Sequence, residues 1–132
     1  MHLHFYDNGT DEVVADLTIG PDHQGYPGVA HGGVVAAILD EVGGRTMMIG
    51  DHNRFFMTAK MELKYRQPVP VGTPLRAVGH VIKRRGRLAT AHAEIRSQDG
   101  ETLAEAEILL TDTPTALFNA GDADRLGWRV YE

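Results

Sequence analysis

The sequence contains no cysteine. That excludes disulfides, thiolate nucleophiles and cysteine-ligated zinc, and it suits a reducing compartment. It has one serine, Ser97, with no G-x-S-x-G around it, so serine-hydrolase chemistry has no nucleophile elbow. Positive charge is in deficit: the formal net charge is -5, so no global field draws the chain to nucleic acid or to an anionic membrane. No apolar run approaches the roughly 20 residues needed to span a bilayer. The N-terminal stretch MHLHFYDNGT lacks the apolar centre of a signal peptide. These absences describe a soluble, cytoplasmic protein.

What is present is ordinary globular material, 42% apolar and 23% charged over 132 residues, enough for one domain with a real core. No repeat or linker divides the chain, so residues 1–132 read as a single domain. DEVVADLTIG (11–20) alternates weakly and predicts a strand. PDHQGYPGVAHGG (21–33) is too rich in glycine and proline for either regular element. Residues from about Gly32 to Met48 form the one substantial predicted helix. Strands are expected at 56–67, 73–84, 88–97 and 102–112, in antiparallel meander order. Between them lie the connector PVPVG (68–72), a tight turn at RGR (85–87) and a two-residue Asp-Gly hairpin turn at QDGE (98–101). The pattern is α+β: an antiparallel sheet with one face covered by a single apolar helix. The tail at 113–132, which carries the lone Trp128, has no assigned place.

The helix places acid inside the most apolar segment. At helical spacing, Asp40 has Gly33, Ala36, Ala37, Gly43, Gly44 and Met47 as neighbours. So small a stripe permits close approach of another backbone or a ligand. Interior glycines each cost about 0.5–1 kcal/mol against alanine, which asks for a compensating role. Glu41 is different, because Arg45 follows four residues later in the order that favours a surface ion pair. At the start of the helix, Gly32 and Gly33 expose the first amides at the positive end of the macrodipole. This is a site for an anion or a polarised carbonyl oxygen, with His31 as the capping residue. Gly33 and Asp40 lie roughly 10 Å apart along the axis, too far for one carbonyl to touch both. Two copies of the helix, antiparallel about a two-fold axis, would bring them together. The expectation is a homodimer with two composite sites, leaving dimer and tetramer open.

These residues carry a resemblance. GYPGVAHGGVVAAILDE resembles the HGG-x-x-x-x-x-x-D signature of hotdog-fold acyl-CoA thioesterases, and more narrowly their PaaI-type branch. It continues through TAKMELKYRQPVPVGTPLRAVG and GRLATAHAEIRSQDGETLAEAEILL, covering about residues 20–112. The resemblance implies hydrolysis of an acyl-CoA thioester, with coenzyme A part of the substrate and no further cofactor. It implies that the amide of Gly32 or Gly33 polarises the carbonyl. It implies that Asp40 of the partner subunit attacks the carbonyl or activates water, while Thr58 on the following strand assists. Both roles fit the physics, because a thioester carbonyl gains negative charge on attack and a poorly solvated carboxylate is a better base or nucleophile. Many relatives carry Asn or Gln six residues before the histidine. Here that place is Gly25, preceded by Gln24, which is the candidate for a carbonyl contact.

Substrate-binding candidates complete the reading. The basic turn KRRGR (83–87) offers Arg85 and Arg87 to the phosphates of coenzyme A. Tyr26, Met47, Met48, Phe55 and Phe56 could line an apolar acyl pocket. The seven histidines form no HExxH or carboxylate-supported set, so no metal site is expected. Two other classes share the pattern. A hotdog-fold hydratase or dehydratase would use a histidine, His23 or His31, with an acid. A non-catalytic acyl-CoA binding module would keep the pocket without needing Asp40.

Overall fold

The computed structural model describes residues 3–8, 11–49 and 56–112. The tail, Trp128 and Phe55 lie outside the described residues. Along the chain come β1 (Phe5–Asp7), β2 (Glu12–Thr18), a short 3-10 turn (Pro21–His23), α1 (Gly32–Arg45), a second 3-10 turn (Thr46–Met48), β3 (Phe56–Tyr65), β4 (Pro74–Arg85), β5 (Leu88–Arg96) and β6 (Thr102–Asp112). The predicted helix thus appears as α1 with a 3-10 extension. Thr46 closes α1, its backbone N–H reaching the carbonyls of Gly43 and Gly44 and its buried hydroxyl donating to the Gly43 carbonyl at 2.6 Å.

The described strands form one six-stranded antiparallel sheet in the order β1-β2-β4-β5-β6-β3. The meander expectation holds for β4, β5 and β6 but fails for β3, which pairs with β6 at the far edge. The reason is the connector between β3 and β4. It has two prolines and no two-residue turn, and it runs past the helix entry: Ala30 N–H donates to the Val69 carbonyl at 2.7 Å and Val71 N–H to the Gly28 carbonyl at 3.1 Å. The β5–β6 turn also differs from expectation. Gly100 N–H bonds the Ser97 carbonyl at 3.0 Å, Ser97 N–H bonds the Glu101 carbonyl at 2.9 Å, and Gly100 sits at φ 85. That is a three-residue loop ending in a left-handed glycine, not a two-residue turn.

The core lies between α1 and one face of the sheet. Strand β5 shows why. Its alternation places Ala89, Ala91, Ala93 and Ile95 inward and Thr90, His92 and Glu94 outward, so period two overrides the helical propensity of alanine. The sheet contributes small residues, Ala77, Ala91, Ala93, Ala104 and Ala106 among them, beside the larger Ile95, Ile108 and Leu110, and the helix contributes Val35, Ile38, Leu39 and Val42, each at most 1% exposed. Each such side chain stabilises by about 1.5–3 kcal/mol on burial. The helix also settles unusually close to the sheet, over Gly79 of β4 and through its own Gly43.

An ion pair pins the end of β3. Arg66 Nε lies 2.7 Å from Glu105 Oε2 on β6. That guanidinium hydrogen bond holds the Glu105 carboxyl below its ordinary value of 4.5, with partial burial opposing. A depressed carboxylate stabilises the fold above its unfolded value and loses that contribution as pH falls through the folded one. Urea melts from pH 6 down to pH 3 should therefore show Glu105→Gln losing less stability on acidification than the parent, by under about 1 kcal/mol for so exposed a pair.

Candidate active site

The loop predicted to be irregular is a small hairpin that delivers the helix. Gly25 N–H bonds the Val29 carbonyl at 2.8 Å, His31 N–H bonds the His23 carbonyl at 2.8 Å, and Val29 N–H closes onto the Tyr26 carbonyl at 2.9 Å. Pro27 and Gly28 occupy the tip, with Gly28 at φ 81, as a type II turn requires. Gln24 serves this loop: its Oε1 accepts from Gly28 N–H at 3.2 Å. Tyr26 projects from the tip, 82% exposed.

His31 caps α1 with its ring. Nδ1 accepts from Gly33 N–H at 2.9 Å, while Val34 and Val35 donate to the His31 carbonyl at 3.0 and 3.1 Å. Of the first-turn amides, Gly33, Val34 and Val35 are therefore engaged, and that of Gly32 has no acceptor within the described residues. The two glycines that the sequence left equivalent are thus distinguished. Gly32 holds the open donor at the positive end of the helix dipole. Its carbonyl, in turn, accepts from the hydroxyl of Tyr65 at 2.8 Å.

Asp40 sits two turns further along, half-buried, and its Oδ1 accepts from Thr58 Oγ1 at 2.6 Å. Strict alternation along β3 would put Thr58 on the face opposite Met61 and Leu63. The structure puts it on the same, helix-facing side. A bulge between Thr58 and Lys60 supplies the extra residue, so Thr58 pairs with buried Leu110, and Met61 with buried Ile108. Bulges of this kind re-aim a side chain next to a site. The acid keeps its own company: Glu41, beside it, forms the expected pair with Arg45 at 2.9 Å.

Other sequence-selected residues fall differently. Met47 is 2% exposed and belongs to the core, so it offers no surface within one subunit. Gly43 faces Ile108 and Ala93 of the sheet, so it takes no part in an open small-residue stripe. Arg85 and Arg87 are exposed at the β4–β5 turn. By register, Arg85 pairs with exposed Leu88 and lies on the outer face, whereas Arg84 pairs with buried Ala89 in the row that continues through Leu110 to Thr58. Arg84 also lies 5.9 Å over the Phe56 ring. It is the cation of this turn on the same face as Asp40, and the sequence reading passed over it. Tyr65 was missed as well. Counting by two from Met61 and Leu63 on β3 reaches it. Among the described residues no group of three or more His, Asp or Glu side chains is arranged to hold a metal ion.

A donor at a helix start and a carboxylate braced by a hydroxyl make a pair suited to acyl transfer, with one group to receive carbonyl charge and one to attack or deprotonate. Acyl-coenzyme A thioesterase THEM4 of Rattus norvegicus is 30% identical over 121 residues, spanning 92% of this chain and 48% of that protein. The chain thus covers about half the length of this curated relative. A solved thioesterase superfamily protein superposes with a TM-score of 0.74 at 34% identity, over 83% of this chain and 52% of that one. A Streptococcus mutans UA159 protein solved with acetyl-CoA bound shares the fold at a TM-score of 0.77 and 16% identity, over 86% of this chain and 90% of that one. The family model of the thioesterase superfamily matches residues 27–104, from the loop before α1 into β6; the chain belongs to that superfamily and has its hotdog fold.

Proposed function

We propose that this chain hydrolyses acyl-CoA thioesters at two equivalent sites of a homodimer. The observation that carries the reading is the Thr58–Asp40 hydrogen bond, which fixes a half-buried carboxylate beside the apolar face of α1. The relative named as an acyl-coenzyme A thioesterase and the neighbour solved with acetyl-CoA support the same substrate class.

The Gly32 N–H receives the thioester carbonyl oxygen and stabilises the negative charge that grows there on attack. Asp40 of the second copy then acts on the carbonyl carbon in one of two ways. It takes a proton from a water whose oxygen forms the new C–O bond, or it forms that bond itself, giving an anhydride that water opens. In both, the tetrahedral intermediate collapses by breaking the C–S bond, and coenzyme A leaves as the thiolate. Thr58 holds the carboxylate by one oxygen and leaves the other for the reaction.

The dimer is argued from reach. Gly32 and Asp40 are eight residues apart on α1, about 12 Å along its axis, so one thioester cannot meet both within one subunit. Strand β3 is a ten-residue edge with no strand beyond it among the described residues. Such an edge is open to pairing with a second copy. Thr58 and Tyr65 lie on the same face of β3, six register positions apart by their partners Leu110 and Ala104. Antiparallel pairing of two β3 strands about their middle would set Tyr65, beside Gly32, against the second copy's Thr58 and Asp40. The β4–β5 turn then supplies cations for the phosphates, with Arg84 added to Arg85 and Arg87.

The test is release of free thiol from a panel of short, medium, long and aryl acyl-CoAs. Turnover of at least one class supports the reading. A folded protein that releases no thiol from any of them sinks it. Within this test, Thr58→Val should lower kcat by about 10-fold while leaving KM within about twofold, because it removes a brace rather than the reacting group. Steady-state kinetics on the preferred substrate check this.

A further inference from the structure

Two consecutive glycines at the start of α1 leave the reactive amide accessible but poorly fixed, since glycine gives up the conformational restriction that a side chain imposes. The structure shows what restores it. The Gly32–Gly33 peptide is held at both ends: the Tyr65 hydroxyl donates to its carbonyl at 2.8 Å, and its N–H donates to His31 Nδ1 at 2.9 Å. The ring of Tyr65 also packs against Gly32, where a Cβ would lie 3.6 Å from the hydroxyl and 3.8 Å from Cζ. Tyr65 reaches this place because its register partner is buried Ala104, on the helix-facing side of β3. Within one subunit it remains 53% exposed.

We propose that Tyr65 is a positioning residue for the Gly32 amide. Its hydroxyl fixes the plane of the Gly32–Gly33 peptide, and through Gly32 the direction in which the one open N–H points. Donation to the carbonyl also polarises that peptide and strengthens its N–H bond to His31, so the two side chains hold the helix start cooperatively. The inference rests on the thioesterase reading for its kinetic consequence, but its structural half stands apart from that reading. An oxyanion donor works only within a few tenths of an ångström of its proper place, so loss of the anchor should appear in turnover before it appears in stability.

The experiment is Tyr65→Phe, which keeps the ring and removes the donor. Three readouts are compared with the parent: kcat and KM on the preferred acyl-CoA, the melting temperature, and hydrogen exchange at the Gly32 and Gly33 amides by NMR. The expected result is a fall in kcat of about tenfold with KM within about twofold, as for an interaction felt in the transition state. The melting temperature should change by less than about 3 °C, and the Gly33 amide should exchange several-fold faster. Unchanged kcat and unchanged exchange would overturn the proposal. So would a fall in kcat matched by a large fall in melting temperature, which marks a structural role. If the parent hydrolyses no acyl-CoA, the thioesterase reading fails, and the exchange data alone decide whether Tyr65 holds the Gly32–Gly33 peptide.

Discussion

Asp40→Asn is expected to lower kcat on the preferred acyl-CoA by at least about 100-fold, the scale on which a positioned base or nucleophile acts. The substitution is nearly isosteric. Its amide oxygen still accepts from the Thr58 hydroxyl, so the 2.6 Å brace survives. Asp40 is half-buried and forms no ion pair with the described cations, so melting temperature should hardly move. A large kinetic loss with an unchanged melt would assign the chemistry to the carboxylate. Comparable turnover by both proteins would remove Asp40 from the reaction and leave the carbonyl to be attacked by another group. Retained binding of a non-hydrolysable acyl-CoA by the variant would separate loss of catalysis from loss of the site.

Gly79→Ala is expected to destabilise the fold by about 2–3 kcal/mol, the usual cost of forcing an extra group into a packed core. A Cβ at that position would stand 2.7 Å from the Val42 carbonyl oxygen, 2.8 Å from Val42 Cγ1 and 3.1 Å from the Val42 carbonyl carbon. Two of these three atoms are helix backbone, so relief requires α1 to move off the sheet. For a domain of this size the melting temperature should fall by about 10 °C. Gly43→Ala is the contrast. Its nearest obstacle is Ile108 Cδ1, the end of a flexible side chain that can turn away, so about 1 kcal/mol is expected. Thermal melts of the two variants side by side check the ordering. Equal losses would mean that the helix is free to shift and that the close approach at Gly79 carries no special cost.

The parts of this structure that follow local rules were readable from residues alone. The apolar period marked α1, alternation marked β4, β5 and β6, and the nine-residue spacing of His31 and Asp40 marked the candidate site. The parts that escaped depend on contacts between distant segments. That β3 joins β6 follows from a connector stitched to the helix entry at Val69 and Val71, which no spacing rule encodes. Thr58 was selected through resemblance to a family, yet simple alternation would have turned it away from Asp40; a single extra residue at the bulge reverses that. His31 was read as a cap, and its choice of Gly33 over Gly32 required the ring to be seen. Met47 looked like pocket lining because a methionine near a site and one in a core have the same sequence signature, and burial alone tells them apart.

The division of bulk between helix and sheet has a consequence for how this protein can change. Among the described residues, four of the eight largest fully buried side chains, Val35, Ile38, Leu39 and Val42, come from the fourteen residues of the helix. The same fourteen residues hold Gly32 and Asp40. Mutational tolerance along α1 should therefore be low at nearly every position, with Val35, Ile38, Leu39 and Val42 answering to packing and the intervening face answering to chemistry. New substrate preferences would have to arise elsewhere, in the loop before the helix, in the β4–β5 turn or along β3. On the proposed mechanism the reagent and the keystone are one segment, and divergence is pushed to the rim.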